Sequence, residues 1–315
     1  MKIRTVVAVR PEQAPNRARI QHIAVSLSLC AATLAVSGVA HAQTPPVPQY
    51  SLPWSLRPAI ASSVVRSDTA LAYFDGGDTV ASTFLAGYAF TPKTAGIYAR
   101  GAWVHASPDQ GSSASGFSNP LVFGLYTPKV GESLRLAVFA GAALPLGQGG
   151  GNSPDPATKT AVASGVPARS SMDNALFAVN DIVPTAGVGL AYIERGLTLQ
   201  VEATVLQLVR AKGDQVQKDS SKTNFTSGLH VGYFLTDMLS VGAELRYQRW
   251  LSTPSFVKSE LGNRDQLSFA VGPRFNVALG NGVVMRPGAA FAMPLDDPMK
   301  SAGYKIVQLD VPVIF

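Results

Sequence analysis

The chain has one cysteine, Cys30, and it lies near the N-terminus. No disulfide can form within it, and no thiolate metal site can be built. Histidine is as scarce: beyond residue 42 only His105 and His230 remain. No His/Cys cluster suits a metal, and no metal or cofactor is expected. Gly147-Gln148-Gly149-Gly150-Gly151 lacks the Lys-Ser/Thr and the helix that a phosphate-cradling loop needs. Asp296-Asp297 reads as a solvated acidic turn. Beyond residue 42 there is no apolar run of the ~18 residues that a membrane helix requires. Only 15% of residues are charged, and the high pI of about 9.5 is partly a property of the first residues. Five of the 26 basic and one of the 20 acidic residues precede Gln43, leaving 21 and 19 and a net charge of +2 in place of +6. That balance gives no ground for nucleic-acid binding.

The first 42 residues read as a signal peptide. Lys2, Arg4, Arg10, Arg17 and Arg19 form a basic leader, an apolar stretch runs from Ile23 to Val39, and Ala40-His41-Ala42 is the small-x-small pattern of a cleavage site. The mature chain is expected to begin at Gln43, after cleavage near Ala42. Leu29 precedes Cys30, where lipidation needs a small residue. Residues 43–60 carry Pro45, Pro46, Pro48, Pro53 and Pro58 and read as an extended periplasmic lead-in, leaving 61–315 for the folded domain.

That domain alternates apolar and polar residues with period two, interrupted by Gly, Pro, Asp and Asn. On 239–250, Leu239, Val241, Ala243, Leu245 and Tyr247 oppose Ser240, Gly242, Glu244, Arg246 and Gln248. Twelve such segments are predicted, over 62–74, 79–90, 96–106, 119–126, 133–144, 183–193, 197–209, 223–234, 239–250, 265–279, 283–293 and 304–315. Most match the ~9–11 residues with which a tilted strand crosses a bilayer.

The chain ends on Phe315, and stepping back in twos gives Val313, Val311, Leu309 and Val307. This resembles the terminal strand of bacterial outer-membrane β-barrels, which the barrel-assembly machinery reads through its final Phe. The resemblance implies an all-β fold, a transmembrane antiparallel barrel of about 12 strands set in outer-membrane lipid and lipopolysaccharide. With the last strand ending in the periplasm, the short connections at 91–95, 127–132, 194–196, 235–238 and 280–282 become periplasmic turns. The longer ones at 107–118, 145–182, 210–222, 251–264 and 294–303 become outer loops, as such barrels show. Aromatics fall at strand ends: Tyr88, Phe90, Tyr126, Tyr192, Tyr233, Phe234 and Phe315 below, Phe74, Trp103 and Trp250 above. These suggest two interfacial girdles.

The same register points Arg66, Asp68, Arg100, Arg135, Glu202, His230, Glu244, Arg246, Arg274, Arg286 and Asp310 into the lumen. They form either a polar pathway with weak anion preference or a network of ion pairs that fills the space. The 145–182 connection, glycine-rich first and apolar later, reads as either a lid over the mouth or an exposed loop. Passive diffusion of a small, unidentified solute is the leading function; a structural or adhesive barrel with a blocked lumen is the alternative. A third reading rests on His105, Ser107 and Asn119, whose spacing resembles the His-x-Ser and downstream Asn of the outer-membrane phospholipase A family. In that reading His105 would be the base for Ser107 and Asn119 would orient it; the continuation Pro108-Asp109 departs from the family pattern. Leu144-Pro145-Leu146-Gly147 is similar to a turn in outer-membrane channels linked to uptake of aromatic compounds.

Overall fold

The computed structural model describes residues 50–315; the leader, Cys30 and the cleavage site near Ala42 lie outside the described residues. One antiparallel sheet closes on itself. Its strands are β1 (Val64–Phe74), β2 (Gly77–Thr91), β3 (Ala95–Pro108), β4 (Ala114–Phe117), β5 (Leu121–Tyr126), β6 (Leu134–Ala143), β7 (Asp181–Glu194) and β8 (Leu197–Arg210). They continue through β9 (Ser221–Phe234), β10 (Leu239–Trp250), β11 (Asp265–Phe275), β12 (Val277–Gly280), β13 (Val283–Met285), β14 (Gly288–Pro294) and β15 (Lys305–Ile314). Neighbours in sequence pair with one another, and β1 pairs with β15 from Val64↔Ile314 to Tyr73↔Lys305, which closes a 12-strand barrel. Closure satisfies the ladder and leaves no sheet edge.

Fifteen segments make twelve wall strands because three wall strands are interrupted. Between β13 and β14 stands Pro287, which has no N–H to give the ladder. Between β11 and β12 the N–H of Asn276 turns to Met238 O at 2.8 Å. Between β4 and β5, Pro120 separates two pieces that both pair with β3. β4 lies within what the sequence presented as the 107–118 loop.

Alternation sorts the wall into two faces. Outside, Leu199, Val201, Val205, Leu229, Val231, Val241 and Leu245 are all exposed, although apolar. Inside, Gln200, Glu202, His230, Glu244 and Arg246 are at most 3% exposed. A barrel in water would have these faces reversed. Tyr88, Phe90, Tyr126, Tyr233 and Phe315 are exposed at the short-turn rim. Three strand-end aromatics depart from the expected girdles. Phe234 is buried on the inward face; Phe74 turns in to stack on Tyr304 at 4.8 Å; and Trp250 turns in to meet Phe256 edge-on at 5.2 Å. All three share the inward parity of Asp68, His230 and Arg246 on their own strands, so the alternation that fills the lumen carries them inside as well.

The longest connection, 144–180, folds into the barrel mouth as α1 (Pro156–Ala163), α2 (Gly165–Ala168) and α3 (Asn174–Phe177). Asp155 caps α1 through a bond from the Thr158 N–H at 2.7 Å, and Pro156 opens it. A fourth short helix, α4 (Ser255–Ser259), stands on the facing loop.

Candidate functional site: a plugged lumen beneath an open mouth

Residues 50–60 correct the reading of that stretch as a periplasmic lead-in. They lie inside the barrel, with Tyr50, Trp54 and Leu56 at 3%, 1% and 2% exposure. Tyr50, Ser51, Leu52, Pro53, Trp54 and Leu56 are all buried. The prolines reduce the segment's own hydrogen bonding, and its remaining amides turn to the wall. Glu244 accepts from the N–H groups of Trp54 and Ser55, and Glu202 from the N–H of Arg57 at 2.7 Å. In return Arg66 donates to Trp54 O at 2.7 Å, Arg286 to Tyr50 O at 3.0 Å and Gln200 to Arg57 O at 2.7 Å. Room for the segment comes from wall glycines. A Cβ on Gly232 would lie 2.0 Å from Ser51 Oγ, one on Gly228 2.4 Å from Leu56 Cδ2, and one on Gly288 2.7 Å from the Trp54 ring. This segment is a plug.

The second filler descends from the long-loop rim. Arg169, at the end of α2, grips Asp68 of β1 with both terminal nitrogens at 2.8 and 2.5 Å, and its Nε reaches Asp173 at 3.0 Å. Asp173 in turn receives Arg100 of β3 at 2.5 and 2.8 Å. Burial by itself would raise the Asp173 carboxyl; the guanidinium groups of Arg100 and Arg169 outweigh it and hold the group well below the usual carboxylate range. Ser170 accepts from Arg246 at 3.3 Å, and Asn174 donates to Asn224 at 3.0 Å. Between the plug and the wall lies a cavity of about 40 Å³, bordered by Arg66, Asp68 and Arg100.

The inward-pointing residues fall into clusters. Arg66 and Arg274 share Asp310, Arg246 pairs with Glu244 at 3.1 Å, and Glu202 pairs with Arg57 of the plug at 2.6 Å. His230 is fully buried, with Nε2 3.3 Å from Ser51 Oγ. Arg286 holds the plug rather than a wall carboxylate in its described bond. Arg135 stands apart at the short-turn rim, donating to the carbonyls of Lys93 and Thr127 at 3.1 and 3.3 Å. Arg57, Arg169 and Asp173 were not among the residues singled out from the sequence, because they belong to connections whose path the alternation does not fix.

Above the latch the mouth holds two cavities of about 470 and 250 Å³. Val166, Asn174, Trp250 and Phe256 border both; Met299 and Tyr304 add apolar surface to the larger, and Lys159 and Lys222 border the smaller. Trp250, which left the outer girdle, is in this vestibule, and Phe74 stacks on Tyr304 at its border.

His105, Ser107 and Asn119 are not brought together. His105 and Ser107 lie on the outward face, 3.2 Å apart, and Ser115 completes the contact at 2.7 Å from His105 Nδ1. Asn119 points inward, fully buried, accepting from Gly147 N at 2.9 Å and donating to Ala178 O at 2.8 Å. It cannot orient His105.

No protein-family model matches the chain, and a search of curated proteins returns no match. Among solved structures, an outer membrane channel from Pseudomonas putida F1 superposes with a TM-score of 0.50 at 10% identity, over 88% of this chain and 100% of that one. This is the fold of a bacterial outer-membrane β-barrel. The KdgM porin, solved in complex with disordered oligogalacturonate, overlaps this outer-membrane barrel with a TM-score of 0.46 at 10% identity, over 80% of this chain and 99% of its own. The translocator domain of the autotransporter NalP from Neisseria meningitidis overlaps it with 0.45 at 13% identity, over 94% and 95%. The short turns of the outer-membrane barrel define its periplasmic rim, and the vestibule opens at the outer rim.

Proposed function

We propose that this outer-membrane barrel is a channel for small solutes, held closed in this structure by two of its own segments. The observation that carries the reading is how the lumen is filled. Eight strands already enclose a space that side chains can fill, and twelve enclose a wider one. Here the wall's own side chains bridge only part of that space, as where Arg246 of β10 reaches Gln308 of β15 at 2.9 Å; the plug and the α2–α3 latch occupy much of the rest. Both are chain segments joined to the wall by ion pairs and single hydrogen bonds, so either can withdraw without breaking the ladder. A barrel built only for structure has no need of replaceable fillers. The vestibule then serves as the outer entrance, where a solute with both apolar and polar surface would rest before passing inward.

The outward apolar belt would lie in outer-membrane lipid, with lipopolysaccharide at the outer rim. The leader would bring the chain to the periplasm, and Phe315 would present the last strand to the barrel-assembly machinery. Planar-bilayer recordings test the channel reading. The full protein is expected to conduct rarely, and variants lacking residues 156–177 or 50–60 to conduct often. If both deletions fold and neither conducts, the barrel is a blocked structural one.

A further inference from the structure

The larger vestibule cavity, of about 470 Å³, is bordered by the latch and by the loops that face it. Its size is that of a small-molecule site. Among the residues that border it there is no Lys, Arg or His. Asp265 is the one charged side chain, and it already accepts from Tyr247 at 2.5 Å and from Arg249 at 3.2 Å. Neither an anion nor a cation finds an unanswered charge there.

Three amides on the border are fixed by their partners. Gln266 gives its Nε2 to Asp296 at 2.7 Å, and Asn263 its Nδ2 to Phe256 O at 3.4 Å. A carboxylate and a carbonyl can only accept, so the nitrogen must be on that side. Asn174 of α3 gives its Nδ2 to Asn224 Oδ1 at 3.0 Å, and Asn224 is fixed in turn by donating its own nitrogen to Arg249 O at 3.3 Å. Each of the three is left with an acceptor oxygen that makes no bond among the described residues, and that of Asn174 is buried. Ser171 and Tyr304 add hydroxyls that likewise make none. A desolvated acceptor without a donor is costly. An occupant is therefore required to donate, and to do so toward both the latch and the facing loops.

The same cavity has aromatic faces. Trp250 and Phe256 meet edge-on at 5.2 Å, which covers at most one of their four faces, and Tyr304 adds a third ring. Aromatic faces are electron-rich and suit C–H groups. A carboxylate would bring acceptors to acceptors. An aromatic alcohol would answer one oxygen and leave the others dry. A sugar has hydroxyls round its edge and C–H groups on its faces, and so meets both demands.

We propose that the vestibule binds a small neutral saccharide between the latch and the facing loops, packed on Trp250 and Phe256 and donating to Gln266, Asn263 and Asn174. The assignment rests on the reading of the vestibule as the entrance for a solute. Binding is measured without conduction, so either reading can fail alone.

The test is equilibrium dialysis of the full protein, in a detergent without a sugar headgroup, against radiolabelled maltose, sucrose and trehalose. At least one should bind saturably, and lactobionate, an anion of matched size, should bind more weakly than the best of the three. Phe256→Ala truncates a side chain that is 40% exposed on α4, and should weaken sugar binding several-fold. Asn263→Ala removes one acceptor from a partly exposed loop position and should also weaken it. If sugars bind and the loop deletion does not conduct, the channel reading fails and the site stands. No saturable binding of any of the three sugars, equal or tighter binding of lactobionate, or binding unchanged in either folded variant overturns the proposal. Saturable binding of benzyl alcohol or benzylamine with none of the sugars overturns it as well.

Discussion

Arg169→Ala is the substitution that separates a removable latch from a permanent filler. Arg169 makes three bonds to two buried carboxylates, Asp68 on the wall and Asp173 four residues further along its own loop. Removing one partner of a buried ion pair costs about 3–5 kcal/mol, much of it from the charge left behind. Two remaining contacts point to the lower figure. Gln308 still donates to both Asp68 oxygens at 3.0 and 3.1 Å, and Arg100 still holds Asp173. With about 1.4 kcal/mol for each factor of ten, ~3 kcal/mol multiplies the undocked population of the loop by roughly 100-fold. Single-channel recording reads this as open probability. Retarded migration of unboiled protein on a denaturing gel checks that the barrel itself is intact. Arg169→Lys should fall between the two, since an ammonium cannot reproduce the paired geometry. An intact Arg169→Ala barrel with the open probability of the parent would refute the latch and, with it, the expectation that the loop gates the mouth.

Leu245→Arg puts a cation on the outward face at a cost of roughly 2–4 kcal/mol near mid-membrane, and should impair folding into bilayers of the refolded protein. Its neighbour Arg246→Ala leaves Glu244 buried and releases Gln308 and Ser170, so it should lower stability while leaving insertion largely intact; normal folding of Leu245→Arg would mean the strand faces the other way. Gly232→Ala meets Ser51 at 2.0 Å and should expel the plug with about 1–3 kcal/mol of overpacking, read as a red-shifted Trp54 emission in a background where Trp103 and Trp250 are replaced by Phe; unshifted emission would show that the wall gives way instead. The depressed Asp173 carboxyl means that its contribution to the latch is complete above the unfolded value of about 4 and is lost only as pH falls toward the lower folded value. Opening between pH 5 and 7 would therefore point to another group. Deleting Phe315, 60% exposed with its N–H on Ser63 O at 3.1 Å, should reduce membrane-inserted barrel in cells without blocking export; a normal yield in the outer membrane would remove its assembly role.

The wall was legible from the sequence because period-two alternation needs no knowledge of distant contacts. β8, expected over 197–209, spans Leu197–Arg210, and β10 spans Leu239–Trp250 as expected. The interior residues were readable for the same reason, once one face was assigned to lipid. The fillers were not readable in this way. Proline-rich composition at 43–60 looks like a linker, and prolines also suit an extended segment that bonds sideways to a wall. A signal was present: Tyr50, Leu52, Trp54 and Leu56 alternate as a strand does, which a solvated linker has no reason to do. Arg169 and Asp173, spaced by four on a loop otherwise poor in charge, were the second signal. Inward glycines at 228, 232 and 288 were the third, since a wall that gives up side chains on its inner face must be making room for something.

The plug also has a mechanical consequence. A ring of strands resists being flattened only through the stiffness of its own ladder. The plug bonds to Glu202 on β8, Glu244 on β10, Arg66 on β1 and Gln308 on β15. These anchor points lie on both sides of the closing seam and well round the circumference, so the segment acts as a cross-brace that fixes the shape of the ring's section. Its departure would do more than clear the bore: it would let a stiff, round tube become a compliant, ovalising one.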